Sequence, residues 1–131
     1  MKIALIAAKT REDLIIDFSI AYSGVLNGHE IVSTGTTADR INKEANLKVE
    51  GLIPNEFGGI DQIISMIQIN EINMLIGFRD VSTLCHLKEE FEKAFVCCDN
   101  MMIPYASNLL MAELLINGLQ DGYLNYRGVI L

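Results

Sequence analysis

The sequence predicts a single α/β domain, built as a doubly wound parallel sheet of about five strands with helices on both faces. Three observations predict this class. Short apolar runs of strand length alternate with longer segments of helical period, which is the pattern of successive βαβ units. The chain has 131 residues, a length that supports one hydrophobic core. No repeat or low-complexity segment interrupts the alternation. We therefore expect one domain over residues 1–131.

In the first half of the chain, short apolar or alternating runs predict three strands, at Lys2–Ala8, Glu30–Ser33 and Leu47–Leu52. Between them, apolar residues recur at helical spacing and predict helices over Arg11–Leu26 and Thr37–Ala45. Asn27-Gly28 and Asn46 end these two helices, since Gly and Asn are common just after a helix.

In the second half, Gly58-Gly59 opens a predicted helix over Ile60–Ile69. Asn73–Phe78 is almost wholly apolar, which is typical of a strand buried on both faces. Leu87–Cys98 carries an apolar stripe opposite a charged one and is a predicted helix.

The last elements are less regular. Met101–Ala106 is a predicted strand that contains Pro104 and therefore belongs at a sheet edge, where a missing N–H is tolerated. Asn108–Ile116 is a predicted helix with Asn108 as its N-cap. Gly118–Leu131 has no firm pattern, although Val129–Leu131 could pair with a strand.

Composition excludes several classes of partner. Asp and Glu number 17 against 10 Lys and Arg, giving a net charge of −7, which argues against a nucleic-acid surface. No apolar stretch reaches the roughly 20 residues that span a bilayer. The opening segment carries a single Lys and runs into Arg11-Glu12-Asp13, unlike a signal peptide, so we expect a cytoplasmic protein. The three cysteines have neither zinc-site nor disulfide-framework spacing.

The first candidate site is the hydroxyl-rich segment Thr34, Gly35, Thr36 and Thr37, which follows the second predicted strand and begins a helix. A helix start offers unpaired N–H groups and the positive end of the helix dipole, which together bind anions such as phosphate. Gly35 would let the backbone approach a ligand. The alternative is an ordinary helix cap with surplus threonines, and the spacing alone does not decide between the two.

Two further segments carry candidate groups for proton transfer. Gly58 and Gly59 open a helix with Asp61 in its first turn, which fits either a phosphate loop with a general base or a plain turn. Asp80 follows the most apolar strand, where the ligand crevice of an open α/β sheet lies. His86 lies six residues further on and has a side chain suited to proton transfer near neutral pH.

These segments together resemble the methylglyoxal synthase family, whose members convert dihydroxyacetone phosphate to methylglyoxal and inorganic phosphate. The resemblance rests on KIALIAA at 2–8, STGTT at 33–37, GGIDQ at 58–62, MLIGFRD at 74–80 and IPYASN at 103–108. It implies a compact doubly wound domain, no cofactor and a homo-oligomer, since family enzymes form hexamers. The sequence itself shows no metal-ligand constellation, so we expect no metal. The same domain also serves as an anion-sensing regulatory module in larger enzymes, so fold does not settle activity.

The chain departs from the family at several positions. The resemblance places a His at position 8 and a phosphate-binding Lys at position 12, where this chain has Ala8 and Glu12. It places the catalytic base at position 60, which is Ile60 here, with Asp61 one place later. It places Ser-Gly-Pro at 54–56, which reads Pro54-Asn55-Glu56 here. Asp80 matches the family pattern directly, and His86 matches the family's His after a one-residue shortening.

Three hypotheses follow. In the first, the chain is a working lyase, with Asp61 or Asp80 as base, His86 as acid, and phosphate held by the threonine segment together with Lys9 or Arg11. In the second, it is a regulatory module that binds a small phosphorylated metabolite or inorganic phosphate and has lost the reaction. In the third, it is a lyase with a different small phosphorylated or carboxylated substrate, because Glu12 and Glu56 would change what the pocket accepts. The loss of a cation and of the usual base favours the second.

Overall fold

The sheet has five strands that all run parallel, which confirms the predicted α/β class. The computed structural model describes residues 1–82 and 87–124. The strands are β1 (Lys2–Ala7), β2 (Glu30–Thr34), β3 (Val49–Leu52), β4 (Met74–Phe78) and β5 (Tyr105–Ala106). Their order in the sheet is β3-β2-β1-β4-β5, and every neighbouring pair is parallel.

Helices cover both faces of this sheet. They are α1 (Glu12–Ala21), α2 (Ser23–Leu26), α3 (Gly35–Glu44), α4 (Gly59–Gln68), α5 (Lys88–Met101) and α6 (Leu109–Gln120). Short 3₁₀ turns at Lys9–Arg11 and Asn55–Phe57 precede α1 and α4.

The alternating side chains of β1 show how the two faces divide the core. Ile3, Leu5 and Ala7 pack into one cluster with residues of α1, α3 and α6. Ala4 and Ile6 pack into the other with residues of α4 and α5. β1 is therefore buried on both sides, as the near-continuous apolar run predicts for a central parallel strand.

The strand order places the carboxyl ends of β1 and β4 next to each other. After β3 the chain crosses back over β1, so the winding direction reverses between β1 and β4. In this register Ala7 lies beside Phe78, and the Ala8 N–H donates to the Phe78 carbonyl at 2.9 Å. The segments that follow these two strands share one edge of the sheet, where open α/β sheets bind their ligands.

The predicted helix over Arg11–Leu26 is wrong as one element, because the chain breaks at Tyr22 between α1 and α2. The Tyr22 ring packs on Phe18 at a centroid distance of 5.0 Å, and its hydroxyl donates to Glu113 on α6 at 2.7 Å. Leu26 beyond the break joins the same core cluster as α1. The apolar spacing therefore continues through the break and hides it.

The fifth strand is much shorter than the predicted Met101–Ala106. α5 extends to Met101, and Met102 takes a left-handed conformation with φ of 56° that ends the helix. Only Tyr105–Ala106 pairs with β4, at the sheet edge as predicted. Asn108 caps α6 as predicted, because its side chain accepts the Met111 N–H at 3.1 Å. Gly118 belongs to α6.

Other boundaries differ by a few residues. α3 begins at Gly35 rather than Thr37, and β3 begins at Val49 rather than Leu47. The suggested pairing of residues 129–131 lies outside the described residues.

Gly59 gives a direct test of this packing. A Cβ at position 59 would lie 2.2 Å from the Ile53 carbonyl oxygen and 2.9 Å from Thr34 Cγ2. We expect Gly59→Ala to lower the free energy of unfolding by about 2 kcal/mol or more, because overpacked backbone must shift. Gly24→Ala is the control, since in the described part of the chain no atom beyond its neighbours and its own helix backbone would lie within 4 Å of a Cβ there. It should leave stability unchanged or raise it by about 0.5 kcal/mol. Urea denaturation measures both, and equal stabilities would contradict the packing.

Candidate functional site

A cleft of about 420 Å³ opens at the carboxyl ends of β1 and β2. Its walls come from the segment after β1, from the first turns of α3 and from the 3₁₀ turn after β3. The predicted residues that line it are Lys9, Thr34, Thr36 and Thr37. The sheet therefore brings four of the eight predicted phosphate-binding residues to one cleft.

Asn55 joins the three walls of the cleft. The hydroxyl of Thr34, which is only 1% exposed, donates to Asn55 Oδ1. Asn55 Nδ2 in turn donates to the Ala7 carbonyl at 3.2 Å. One amide thus connects the ends of β1 and β2 to the loop after β3. The sequence shows position 55 only as a departure from the family's Ser-Gly-Pro pattern and does not reveal this role.

The glycines pack these loops closely. Gly35 has a φ of 43°, and a Cβ there would lie 2.7 Å from Pro54 Cα. Gly58, with a φ of 97°, is the N-cap residue of α4. Gly59 is buried against Ile53 and Thr34. Gly58 and Gly59 are not among the described residues that line the cleft. They instead allow the loop after β3 to pack closely against the end of β2.

The first turn of α3 faces this cleft without a side-chain cap. Thr34 is the N-cap residue, but it makes no capping hydrogen bond because its hydroxyl is engaged by Asn55. Thr36 is exposed on the cleft wall. Thr37 is buried, and its hydroxyl donates to Glu12 Oε2 at 3.2 Å. The threonines therefore do not act as ordinary caps of α3, and the start of the helix is directed toward a cavity.

Arg40 is a cleft residue that the sequence analysis does not single out. Its Nη1 lies 3.0 Å from Glu12 Oε1 and 2.9 Å from Asp13 Oδ1, and its Nε lies 2.8 Å from Glu44 Oε2. These bonds, with Glu44 the largest cause, raise the pKa of the guanidinium above its ordinary value. The sequence could have indicated Arg40, because it follows Thr36 and Thr37 by four and three residues and therefore shares their helix face.

Asp80 lies at the end of β4 but is not one of the residues that line the cleft. Its Oδ1 accepts the Ser82 N–H at 2.8 Å, and its Oδ2 accepts the Thr10 hydroxyl at 2.7 Å. These bonds, helped by the positive charge of Arg11, hold the pKa of Asp80 below its ordinary value. The carboxylate is therefore ionised at neutral pH and anchored beside the end of β1.

The remaining predicted residues lie elsewhere. Asp61 is exposed on the first turn of α4 and does not line the cleft. Ile60 is 1% exposed and belongs to the apolar core. Arg11 lines a separate cavity of about 280 Å³ beside Phe78 and Arg79. His86 lies outside the described residues.

Among residues 1–82 and 87–124, no group of three or more His, Cys, Asp or Glu side chains is arranged to hold a metal ion. Within the same residues, no helix has the length and apolar character needed to cross a membrane.

Comparison with known proteins identifies the family of this chain. It is 37% identical over 127 residues to a methylglyoxal synthase of Lysinibacillus sphaericus, an alignment that covers 97% of this chain and 95% of that protein. It is 38% identical over 130 residues to a methylglyoxal synthase of Caldicellulosiruptor saccharolyticus, covering 99% and 92% of the two chains. The chain belongs to the methylglyoxal synthase family.

A solved structure supports the fold of this family member. The crystal structure of a methylglyoxal synthase from Elizabethkingia anophelis matches 88% of this chain and 76% of that chain, with a TM-score of 0.78 at 24% sequence identity. No family model matches the sequence. The doubly wound sheet expected from the sequence is therefore confirmed.

The hydrogen bond from Thr10 predicts how Asp80 titrates. We expect Asp80 to titrate below the ordinary value of about 3.9, and Thr10→Val to raise its pKa toward that value. Because the folded-state pKa is the lower one, the stability that ionised Asp80 contributes is present above pH of about 4 and is lost as pH falls through the folded-state pKa. Carboxyl NMR titration measures the shift. Thr36→Val is the control and should leave Asp80 unchanged, whereas equal titration in wild type and Thr10→Val would contradict the assignment.

Proposed function

We propose that the cleft binds the phosphate group of a small phosphorylated metabolite, or inorganic phosphate itself. The uncapped first turn of α3 carries this proposal, because its N–H groups and dipole meet a cavity of about 420 Å³ rather than a neighbouring side chain. Thr36 offers a hydroxyl on the same wall, and exposed Lys9 offers a positive charge.

We further propose that this family member acts as a binding module rather than as a lyase. Removing a proton beside a carbonyl needs a base within reach of the bound substrate. The position that the resemblance gives to the base is Ile60, whose side chain is buried in the core. Asp61, one residue later, is exposed and does not line the cleft. Rotation by one helical residue thus directs Asp61 away from the cavity.

The second candidate function is a lyase acting on dihydroxyacetone phosphate. The position of Asp80 favours it. Its carboxylate is ionised, anchored through Thr10, and located where the strand order reverses. A carboxylate at that point could remove a proton if the substrate extends from α3 toward β4. The lowered pKa counts against this role, because it makes Asp80 a weaker base.

We also propose that the chain assembles into a homo-oligomer, through α6. Leu110 and Leu114 lie one turn apart on this helix and are 73% and 72% exposed, with Met111 43% exposed beside them. Exposed apolar stripes of this kind are typical of surfaces that associate.

We propose a cytoplasmic location for this assembly. Cys97 on α5 carries a thiol that is not in a disulfide, as is usual in a reducing compartment.

Phosphate binding is tested by calorimetry with inorganic phosphate. We expect binding that Thr36→Val weakens by about tenfold or more, because a hydrogen bond to a charged group contributes about 1.5–3 kcal/mol. Thr10→Val makes the same chemical change outside the cleft lining and should bind as wild type does. Absence of binding by the wild-type protein would refute the proposed function.

The lyase reaction is tested by incubating the protein with dihydroxyacetone phosphate and following methylglyoxal and phosphate release together. We expect neither product above the background measured with Asp80→Asn. Stoichiometric release of both, abolished in Asp80→Asn, would replace the binding-module proposal by the lyase.

The mass of the particle in solution tests the assembly. We expect light scattering to give a multiple of the 14.6 kDa chain mass, and Leu110→Asp with Leu114→Asp to reduce it. Ile20→Asp, at another exposed apolar position, is the control. A monomeric wild-type protein would contradict this part of the proposal.

A further inference from the structure

Arg40 is the one guanidinium among the described residues that line the cleft, and its hydrogen bonds leave part of it unused. Arginine has five N–H donors. Its Nε bonds to Glu44, and its Nη1 bonds to both Glu12 and Asp13. Within residues 1–82 and 87–124, its Nη2 group makes no hydrogen bond. The side chain is 35% exposed, so it is neither in the core nor free in solvent.

Glu12 competes with an anion for the donors of this cleft. One of its carboxylate oxygens accepts from Arg40 Nη1 and the other from the Thr37 hydroxyl. Its side chain is 21% exposed, less than that of Asp13 at 90% or Glu44 at 41%. Of the three carboxylates around Arg40, Glu12 is therefore the one most shielded from water, where its charge acts most strongly.

We propose that Arg40 is the residue that binds the anionic group of the ligand, and that Glu12 restrains it and sets the affinity of the cleft for phosphate. This inference rests on the proposed function, because it assigns a role within the same cleft. The sequence suggested Lys9 or Arg11 as the replacement for the missing cation at position 12. Arg11 lines a different cavity, whereas Arg40 lies on the same helix as Thr36 and Thr37.

The Arg40 side chain suits a phosphate by its geometry as well as by its charge. A guanidinium matches the oxygens of a phosphate with parallel N–H groups, so a single freed edge binds it bidentately. Ion pairs exposed to solvent are weak, so an incoming phosphate can displace the bonds to Asp13 and Glu44 at small cost. Glu12 is the more effective competitor because it also holds Thr37. The cleft should therefore bind phosphate less tightly than it would with a neutral residue at position 12.

Calorimetry with inorganic phosphate tests this assignment in the full chain. We expect Glu12→Gln to bind about tenfold more tightly than wild type, because a repelling charge is lost and Arg40 is released. The decisive comparison is made in the Glu12→Gln background, where Arg40 is no longer needed to neutralise Glu12. Adding Arg40→Gln there should weaken binding about tenfold or more. Lys43→Gln is the matched control, since it removes the same charge from an exposed position of α3 outside the cleft lining.

The possible results separate this inference from the proposed function. Equal phosphate affinities for Glu12→Gln with and without Arg40→Gln would show that Arg40 only neutralises Glu12, and would overturn the inference while binding itself stands. Equal losses with Arg40→Gln and Lys43→Gln would also overturn it, because the effect would then be net charge alone. Absence of binding in both wild type and Glu12→Gln would overturn the proposed function as well. If Arg40→Gln fails a circular dichroism check of folding, Arg40→Lys takes its place and should still bind severalfold more weakly than Glu12→Gln alone.

Discussion

The hydrogen bonds of Asn55 are the constraint on which the candidate site depends. This side chain accepts from Thr34 at the end of β2 and donates to Ala7 at the end of β1, so it fixes the loop after β3 against two strand ends. The close approach of Gly35 to Pro54 is possible only while that loop stays in place. Because Thr34 is engaged by Asn55, it does not cap α3, and the first turn of the helix is left directed toward the cleft. A structural contact thus creates the feature that would bind an anion.

Carboxylates outnumber cations around the cleft where we propose that an anion binds. Arg40 is surrounded by Glu12, Asp13 and Glu44, while Glu56 lines the same cavity. The chain as a whole carries a net charge of −7. Long-range attraction of an anion is therefore weak, and binding must come from short contacts with N–H groups, hydroxyls and a guanidinium. We therefore expect phosphate to bind at modest affinity, in keeping with the proposed binding module.

The sequence predicted the fold much better than it predicted the site. Alternating strands and helices, the doubly buried strand at Met74–Phe78 and the edge position of the Pro104 segment all depend on local patterns, and each was found. The threonine segment was predicted for the same reason, since it is continuous in the chain. The helical spacing of Arg40 from Thr36 and Thr37 could have indicated Arg40 itself. Its pairing with Glu12, and that of Asn55 with Ala7, were missed because they join residues 28 and 48 positions apart. Local spacing carries no information on such pairs. The break at Tyr22 was missed because the apolar spacing continues through it, since Leu26 beyond the break joins the same core cluster as α1.

Binding of an anion at the start of α3 is the part of the proposed function on which the rest depends. Backbone amide chemical shifts, followed by NMR while inorganic phosphate is added, test it most directly. We expect the largest saturable changes in chemical shift at the backbone amides of Gly35, Thr36 and Thr37 and at the side-chain amide of Asn55. Changes centred instead on the cavity beside Arg11 and Arg79, or an absence of saturable changes anywhere, would contradict it.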